Sequence, residues 1–272
     1  MPKNNNMKKT IYFSLIRPGG NDTALVDGLF VQSEKKKIND LIMQKFPKVE
    51  QVGFYSTYKQ TNAVNLEMAG GEFCGNALRS LAFILLDKKP GKICVNFSGI
   101  SQKLNAGVRR KNYAFAQMPI LNSPNSIQVL AKNTIKVELD GITHLLVDKR
   151  DFKNEKDLKI TGERLLEKFK LKKKYKASGV IFYSKEKYVW KIEPIVWVRK
   201  IQTLFYETSC ASGSTALGLW QAKKSDKNAV KLRVKQPSGK SLSVVITKKK
   251  NKSYNACIEG PIELIGKEKI QI

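Results

Sequence analysis

The chain has 272 residues, enough for two compact domains or one large one, and its 42% hydrophobic and 27% charged residues are typical of a globular protein. Its net charge of +27 invites a nucleic-acid partner, because polyphosphates attract basic proteins. However, 42 of the 50 basic residues are lysine, they are spread along the chain, and no nucleic-acid-binding motif accompanies them. We therefore expect a lysine-rich solvated surface and no nucleic-acid partner, with a polyanion-binding protein as the alternative.

The start of the chain and its cysteines predict the compartment. The basic N-terminus meets Arg17 and Pro18 before an apolar run of the secretory type forms. The longest strongly apolar run, residues 81–86, is much shorter than the roughly 20 residues of a membrane-spanning helix. The four cysteines include no CxxC pair, which argues against a disulfide framework or a zinc site. We expect a cytoplasmic protein with reduced thiols, no membrane partner and no metal.

The first half of the chain predicts strands around one apolar helix. Small residues lead to Cys74, and the apolar run 77–87 behind it has the length of a helix. Strand patterns cover 63–68, the two arms of 92–107 around a Ser98-Gly99 turn, and 114–121.

The second half repeats this order after a loop at 121–128 that is rich in Asn, Ser and Pro. A charged stretch, 148–174, predicts a surface helix. Cys210 then precedes a second helical run, 214–224. Strand patterns cover 200–207, the two arms of 229–247 around a Ser238-Gly239 turn, and 256–264.

Matching landmarks in the two halves have nearly constant separations: Cys74 and Cys210 are 136 residues apart, Gly99 and Gly239 are 140 apart, and Pro119 and Pro261 are 142 apart. Such a repeat predicts two pseudo-symmetric α+β domains, each a mostly antiparallel sheet or partial barrel around a central helix. We expect the first domain over 1–122, with a C-terminal strand at 265–272 returning to it, the second over 123–264, and a site in the cleft between them.

The two cysteine motifs, GGEFCGNALRS and ETSCASGSTALG, are suited to proton transfer at a carbon atom. Inverting an amino acid without a carbonyl cofactor requires a base on one face of the α-carbon and an acid on the other. A helix N-terminus lowers thiol pKa and binds a carboxylate through its free N–H groups. We expect Cys74 and Cys210 to be catalytic without a cofactor. The expected carboxylate donors are Gly75, Asn76, Ala211 and Ser212.

Three other residues of catalytic type receive a structural interpretation. Cys94 and Cys257 lie in alternating apolar strand patterns and are expected in the core. His144 lies in the apolar strand THLLV, and we expect it to be structural because the two thiols already supply an acid and a base.

At the cysteine motifs the sequence resembles the diaminopimelate epimerase family, whose signature is Cys-Gly-Asn at the first-domain helix and Cys-small-Ser/Thr-Gly at the second. The resemblance covers nearly the whole chain, including PGGNDTALVD (18–27) and EQVGF (50–54). It implies a cofactor-independent racemase or epimerase in which Asn21 and Gln51 contact the substrate, and it leaves a homodimer open.

Departures from that family predict another substrate. The loop before Cys74 lacks a binding asparagine, Glu207 is not followed by the arginine that pairs with a distal carboxylate, and Ser178 replaces another asparagine. The motifs GGEFCGNA, SCASG and EQVGF are most similar to the histidine racemases of opine-metallophore (staphylopine-type) biosynthesis, within the same superfamily. The resemblance thus implies interconversion of L-histidine and D-histidine. Diaminopimelate or another amino acid remains the alternative substrate.

The same resemblance suggests which side chains face the imidazole. The expected contacts are Glu50, Gln51 and Glu207, with Phe54 or Tyr206 as the aromatic neighbour.

Overall fold

The structure, a computed structural model, describes residues 9–58, 63–250 and 253–272. The basic stretch 1–8, which contributed to the prediction about export, lies outside the described residues. Strands outnumber helices, and the predicted α+β class is confirmed. Among the described residues, no helix has both the length and the apolar character needed to cross a membrane.

Among its described residues, the first half contains seven strands and two helices. They are β1 (Thr10–Pro18), β2 (Asp22–Asp27), α1 (Gln32–Lys45), β3 (Val49–Tyr58), β4 (Ala63–Met68), α2 (Gly75–Leu85), β5 (Gly91–Phe97), β6 (Leu104–Arg110) and β7 (Tyr113–Met118).

The second half contains nine strands and three helices among the described residues. They are β8 (Ile127–Ala131), β9 (Thr134–Leu139), β10 (Ile142–Asp148), α3 (Leu158–Lys168), α4 (Leu171–Lys174), β11 (Ala177–Glu186), β12 (Val189–Val198), β13 (Thr203–Tyr206), α5 (Ala211–Lys224), β14 (Ala229–Lys235), β15 (Ser241–Lys248) and β16 (Tyr254–Gln271).

The two halves have the same strand pairing. β1–β2 is antiparallel, β2–β3 parallel, β3–β4 antiparallel and β4–β5 parallel, followed by two antiparallel pairs to β7. Starting from β9, the second half repeats that order through β10, β11, β12, β14, β15 and β16. The repeat seen in the sequence therefore has a counterpart in the topology.

The long strand β16 joins the halves. Its first part pairs with β15 and β7, and its second part, from Ile262 to Gln271, pairs with β1. In the first half, strands β1 to β7 pair in chain order, β7 pairs with β16, and β16 pairs with β1. These pairings close a barrel. The pairing with β1 includes the segment 265–272 that was expected to return to the first domain.

One helix runs through the interior of each half. Nine consecutive residues of α2, from Gly75 to Phe83, are buried, and α5 is buried from Ala211 to Leu219. A helix that is apolar on every side is stable only when sheets surround it. Both helices begin at the residue after a cysteine, two or three residues before the apolar runs predicted from the sequence. Cys74 and Cys210 are therefore the N-cap residues of the two helices.

The surface helix predicted within 148–174 is α3, whose Leu166 is fully buried. The prediction that Cys94 lies in the core is wrong, because its position in β5 faces outward and the residue is exposed. Cys257 is only partly buried. Alternation in a half-buried strand assigns residues to two faces but does not say which face is the core.

Candidate active site

Cys74 caps the N-terminus of α2. Its backbone is extended (φ −130°, ψ 107°), and its sulfur accepts the backbone N–H of Ala77 at 3.3 Å. This is the position normally taken by Ser, Thr, Asp or Asn, whose oxygen satisfies a free N–H of the first turn. The thiol itself donates to Gln51 Oε1 at 2.8 Å.

Cys210 caps α5 in the same way. Its dihedral angles (φ −125°, ψ 105°) nearly repeat those of Cys74, and its sulfur accepts the N–H of Gly213 at 3.3 Å. The Oγ of Ser212 lies 3.5 Å from this sulfur and 2.9 Å from His144 Nε2. His144 is fully buried, and burial lowers its pKa to about 3, so the ring is neutral. It extends the polar surroundings of Cys210 without touching the sulfur.

The two helix N-termini meet across the halves. A Cβ atom added to Gly75 would lie 3.0 Å from the Cβ of Ala211, so the first residues of α2 and α5 are in contact. Asn76 Nδ2 donates to the carbonyl of Ser209 at 2.8 Å, and the buried Arg79 donates to Asn76 Oδ1 at 2.9 Å. The predicted carboxylate donors, Gly75, Asn76, Ala211 and Ser212, are thus brought together beside both thiols.

Gln51 and Glu207 link the two thiols. Gln51 receives the Cys74 thiol proton in a hydrogen bond and donates from Nε2 to Glu207 Oε1 at 3.0 Å. The Glu207 carboxyl group in turn raises the pKa of Cys210. One amide and one carboxyl group therefore lie between the two thiols and influence them both.

Burial dominates the titration of the thiols. It raises the pKa of Cys74 and, together with the neighbouring Glu207 carboxyl, raises the pKa of Cys210 well above 9. The N–H groups of Ala77 and Gly213 act in the opposite direction, but more weakly. The expected lowering of the thiol pKa by the helix N-termini is therefore outweighed, because desolvation penalises the thiolate more than two N–H groups stabilise it. Both thiols are protonated in the closed pocket.

Asn21 and Glu50 lie next to this group in different roles. Asn21 is fully buried and donates to Glu50 Oε2 at 2.6 Å, but it does not line the pocket. Glu50 lines the pocket. The backbone N–H and the hydroxyl group of Thr208, in the other half, both donate hydrogen bonds to the Glu50 carboxyl group. Burial raises the pKa of Glu50 to about 7. The Asn21 side chain thus supports Glu50, and Glu50 fastens the first half to the second.

The aromatic neighbours proposed from the resemblance lie elsewhere. Phe54 packs on Phe30 in the core beneath α1, and Tyr206 is 39% exposed with its hydroxyl directed to Glu193. The rings that line the pocket are those of Phe73 and Phe205. Side chains alternate along strand β13, so Phe205 and Tyr206 face opposite ways, and the sequence pattern did not show which one faces inward.

The pocket also includes residues that the sequence reasoning missed: Asn39, Glu72, Phe73, Thr203 and Phe205. Glu72 lies two residues before Cys74, and this proximity in the sequence could have indicated that it lines the pocket. No sequence signal indicated Asn39, because the sequence of its helix, α1, is that of a charged surface helix. In the described part of the chain, no cluster of three or more His, Cys, Asp or Glu side chains is arranged to hold a metal ion.

The free space of the pocket is about 20 Å³, roughly the room needed for one water molecule. Any ligand larger than a water molecule would therefore require the pocket to widen.

Solved structures share the fold over nearly the full chain. A hydroxyproline epimerase from Agrobacterium vitis, solved with bound trans-4-hydroxy-L-proline, has a TM-score of 0.69 at 12% identity and covers 98% of this chain and 94% of its own. A PhzF-family phenazine biosynthesis protein from Bacillus anthracis has a TM-score of 0.66 at 13% identity, with 97% and 100% coverage. At these identities the likeness shows the fold alone, and that fold is the one of racemases, epimerases and related isomerases.

Sequence relatives define the family within that class. A histidine racemase of Fusobacterium nucleatum subsp. nucleatum is 32% identical over 272 residues, covering 96% of this chain and 97% of its own. A histidine racemase of Staphylococcus aureus is 26% identical, covering 97% and 99%. Residues 10–270 match the family model described as the histidine racemase CntK N-terminal domain, and the chain belongs to this family of isomerases.

Proposed function

We propose that the protein is a cofactor-independent racemase that interconverts L-histidine and D-histidine with Cys74 and Cys210 as its acid and base. The observation that carries the proposal is the pair of thiols, each capping a buried helix, at helix N-termini that touch within one closed pocket. Membership of the histidine racemase family supports the choice of substrate. The cytoplasm as compartment, a possible homodimer and the lack of a nucleic-acid partner stay predictions.

In the proposed reaction one sulfur, as thiolate, removes the α-proton, and the other, as thiol, donates a proton to the opposite face of the α-carbon. The C–H bond on the first face breaks, a C–H bond forms on the second, and the two sulfurs exchange protonation states. The first-turn N–H groups of α2 and α5 bind the α-carboxylate and stabilise the enolate-like charge.

The raised thiol pKa values favour this chemistry. The α-proton of an amino acid is very weakly acidic, so the base that removes it must be strong when it is formed. Burial of Cys74 and Cys210 makes the thiolate a stronger base than an exposed one. The same burial makes the thiolate scarce in the free enzyme, so its formation is tied to substrate binding.

The proposal is tested by α-deuterium incorporation in D2O, with reductant and no added cofactor. L-histidine, other L-amino acids and diaminopimelate are compared by NMR, and chiral chromatography follows the enantiomers. Exchange and racemisation with histidine alone are expected. Deuterium exchange with another amino acid instead would show that histidine is not the substrate. No exchange with any of the compounds would overturn the racemase proposal in favour of a binding protein.

A further inference from the structure

Three buried polar atoms in the active-site pocket have no hydrogen-bond partner. They are Asn39 Oδ1, Glu72 Oε2 and Thr203 Oγ1. A buried polar atom without a partner costs folding free energy, and natural structures keep few of them. Three such atoms at one pocket therefore indicate that their side chains bind a ligand.

Glu72 is the acidic side chain of the pocket with a free acceptor. It is only 7% exposed, and its Oε2 atom is buried without a hydrogen-bond partner. The other two carboxyl groups are engaged within the protein: Glu50 accepts from Asn21 and Thr208, and Glu207 accepts from Gln51 through Oε1. Of these three carboxyl groups, Glu72 is the one with a fully buried oxygen that lacks a partner.

Asn39 and Thr203 reach the same pocket from separate elements. Asn39 lies on α1, is 1% exposed, and uses its Nδ2 on the Asp40 side chain, so its free atom is an acceptor. Thr203 opens β13 in the other half of the molecule and offers a hydroxyl, which donates or accepts. Asn39 from a helix and Glu72 from a loop thus each supply an acceptor oxygen to the pocket, and Thr203 from a strand supplies a hydroxyl group.

Apolar side chains form part of the same pocket. Phe73 and Val198 are buried, and Ile201 and Phe205 line the pocket beside them. Apolar walls with a few polar atoms suit a flat ring whose faces are apolar and whose edge carries N–H groups. A long flexible cation such as a lysine ammonium would place a strongly hydrated charge against these walls.

We propose that Glu72, Asn39 and Thr203 form the side-chain subsite of the pocket and recognise a five-membered ring with N–H groups at its edge, an imidazolium. Two ring N–H groups meet the acceptors of Glu72 and Asn39, and the Glu72 carboxylate balances the charge of the ring. This inference rests on the proposed histidine racemase function and assigns its specificity to residues outside the thiol network. Glu50 and Glu207, which the resemblance suggested for the imidazole, are instead occupied by internal hydrogen bonds.

The experiment compares L-histidine with β-(2-thienyl)-L-alanine, which has a similar ring without N–H groups, in the wild type and in Glu72→Gln. Loss of a charged hydrogen bond is worth roughly 10- to 100-fold in affinity. We expect Glu72→Gln to raise KM for histidine by about that factor and to change KM for thienylalanine far less, because that ring offers no N–H group to Glu72. Glu67→Gln is the matched control, since Glu67 lies on β4 in an ion pair with Lys35 away from the pocket lining.

Two further comparisons keep the outcomes distinct. Thr203→Val preserves the shape and removes the hydroxyl, so it carries the same KM test if thermal unfolding shows that Glu72→Gln does not fold. Unchanged histidine KM in a folded Glu72→Gln or Thr203→Val protein would overturn the subsite while the racemase stands. A wild type that exchanges another amino acid but not histidine would overturn the proposed substrate and, with it, the imidazolium assignment.

Discussion

The two thiols occupy equivalent places in a duplicated fold but have different neighbours. Both sulfurs cap a buried helix and accept an N–H three residues ahead at 3.3 Å. Cys74, however, donates to the neutral amide of Gln51, whereas Cys210 hydrogen-bonds Ser212 and has its pKa raised by the Glu207 carboxyl group. The residue after the thiol also differs, since it is Gly75 in one half and Ala211 in the other.

The comparison shows that the fold sets the positions of the two thiols, whereas the neighbouring side chains set their pKa values. The backbone places two thiols and two helix N-termini in matching geometry, which suits a reaction that is run in both directions. The side chains around the two thiols do not follow the duplication, so they affect the two thiol pKa values unequally. Substitutions at matched positions can therefore test fold and chemistry separately.

Removal of either thiol should have the largest effect. Cys74→Ser and Cys210→Ser are each expected to reduce racemisation by roughly 1,000-fold or more, because serine is far too weak an acid to replace a thiol in either role. Chiral chromatography of histidine after incubation measures the loss. Cys94→Ser, at the exposed position on β5, is the control and should retain full activity. A wild-type rate in either pocket variant would refute the two-base mechanism.

The matched positions Gly75 and Ala211 test the contact between the helices. A Cβ on Gly75 would lie 2.9 Å from the Met118 sulfur and 3.0 Å from Ala211 Cβ, so Gly75→Ala should push the two thiols apart. We expect kcat/KM to fall by roughly 10-fold or more, since small displacements of reacting groups are costly. Steady-state kinetics checks this.

A second substitution sharpens that test. The double variant Gly75→Ala with Ala211→Gly removes the opposing methyl group and should recover part of the activity. Gly266→Ala on β16 is the control, because the nearest atom to its added Cβ is 3.8 Å away. Full activity of Gly75→Ala, or no recovery in the double variant, would contradict the close contact.

The smallest expected effect concerns the unequal thiol pKa values. The Glu207 carboxylate, itself with a pKa raised to about 8 by burial, raises the pKa of Cys210 through a hydrogen bond and its charge, and that of Cys74 through charge alone. Removing a negative charge favours the thiolate, so Glu207→Gln should lower both pKa values, that of Cys210 more, by an amount on the order of one pH unit.

Alkylation by iodoacetamide, followed at each cysteine by mass spectrometry as a function of pH, measures this shift in the free enzyme. Glu67→Gln again serves as the control for a change of net charge. A Cys210 profile that moves to higher pH, or a larger shift at Cys74, would show that Glu207 does not distinguish the two thiols.

Several features followed from the sequence because they depend on local patterns. The apolar runs behind Cys74 and Cys210 predicted the two buried helices, and the turns at Ser98-Gly99 and Ser238-Gly239 separated the expected strands. The constant spacing of these landmarks predicted the duplication. A helix or a turn is specified by neighbours along the chain, so a single sequence is sufficient to locate it.

Other features depended on contacts between distant segments. The exposure of Cys94, the choice of Phe205 over Tyr206 as the ring that lines the pocket, and the place of Asn39 in the pocket depend on which face of an element meets another. Desolvation of Cys74 and Cys210 reversed the expected direction of their pKa shifts. The sequence alone thus located the two thiols and the apolar helices behind them, whereas burial, which exists only in the packed molecule, decided how those thiols titrate.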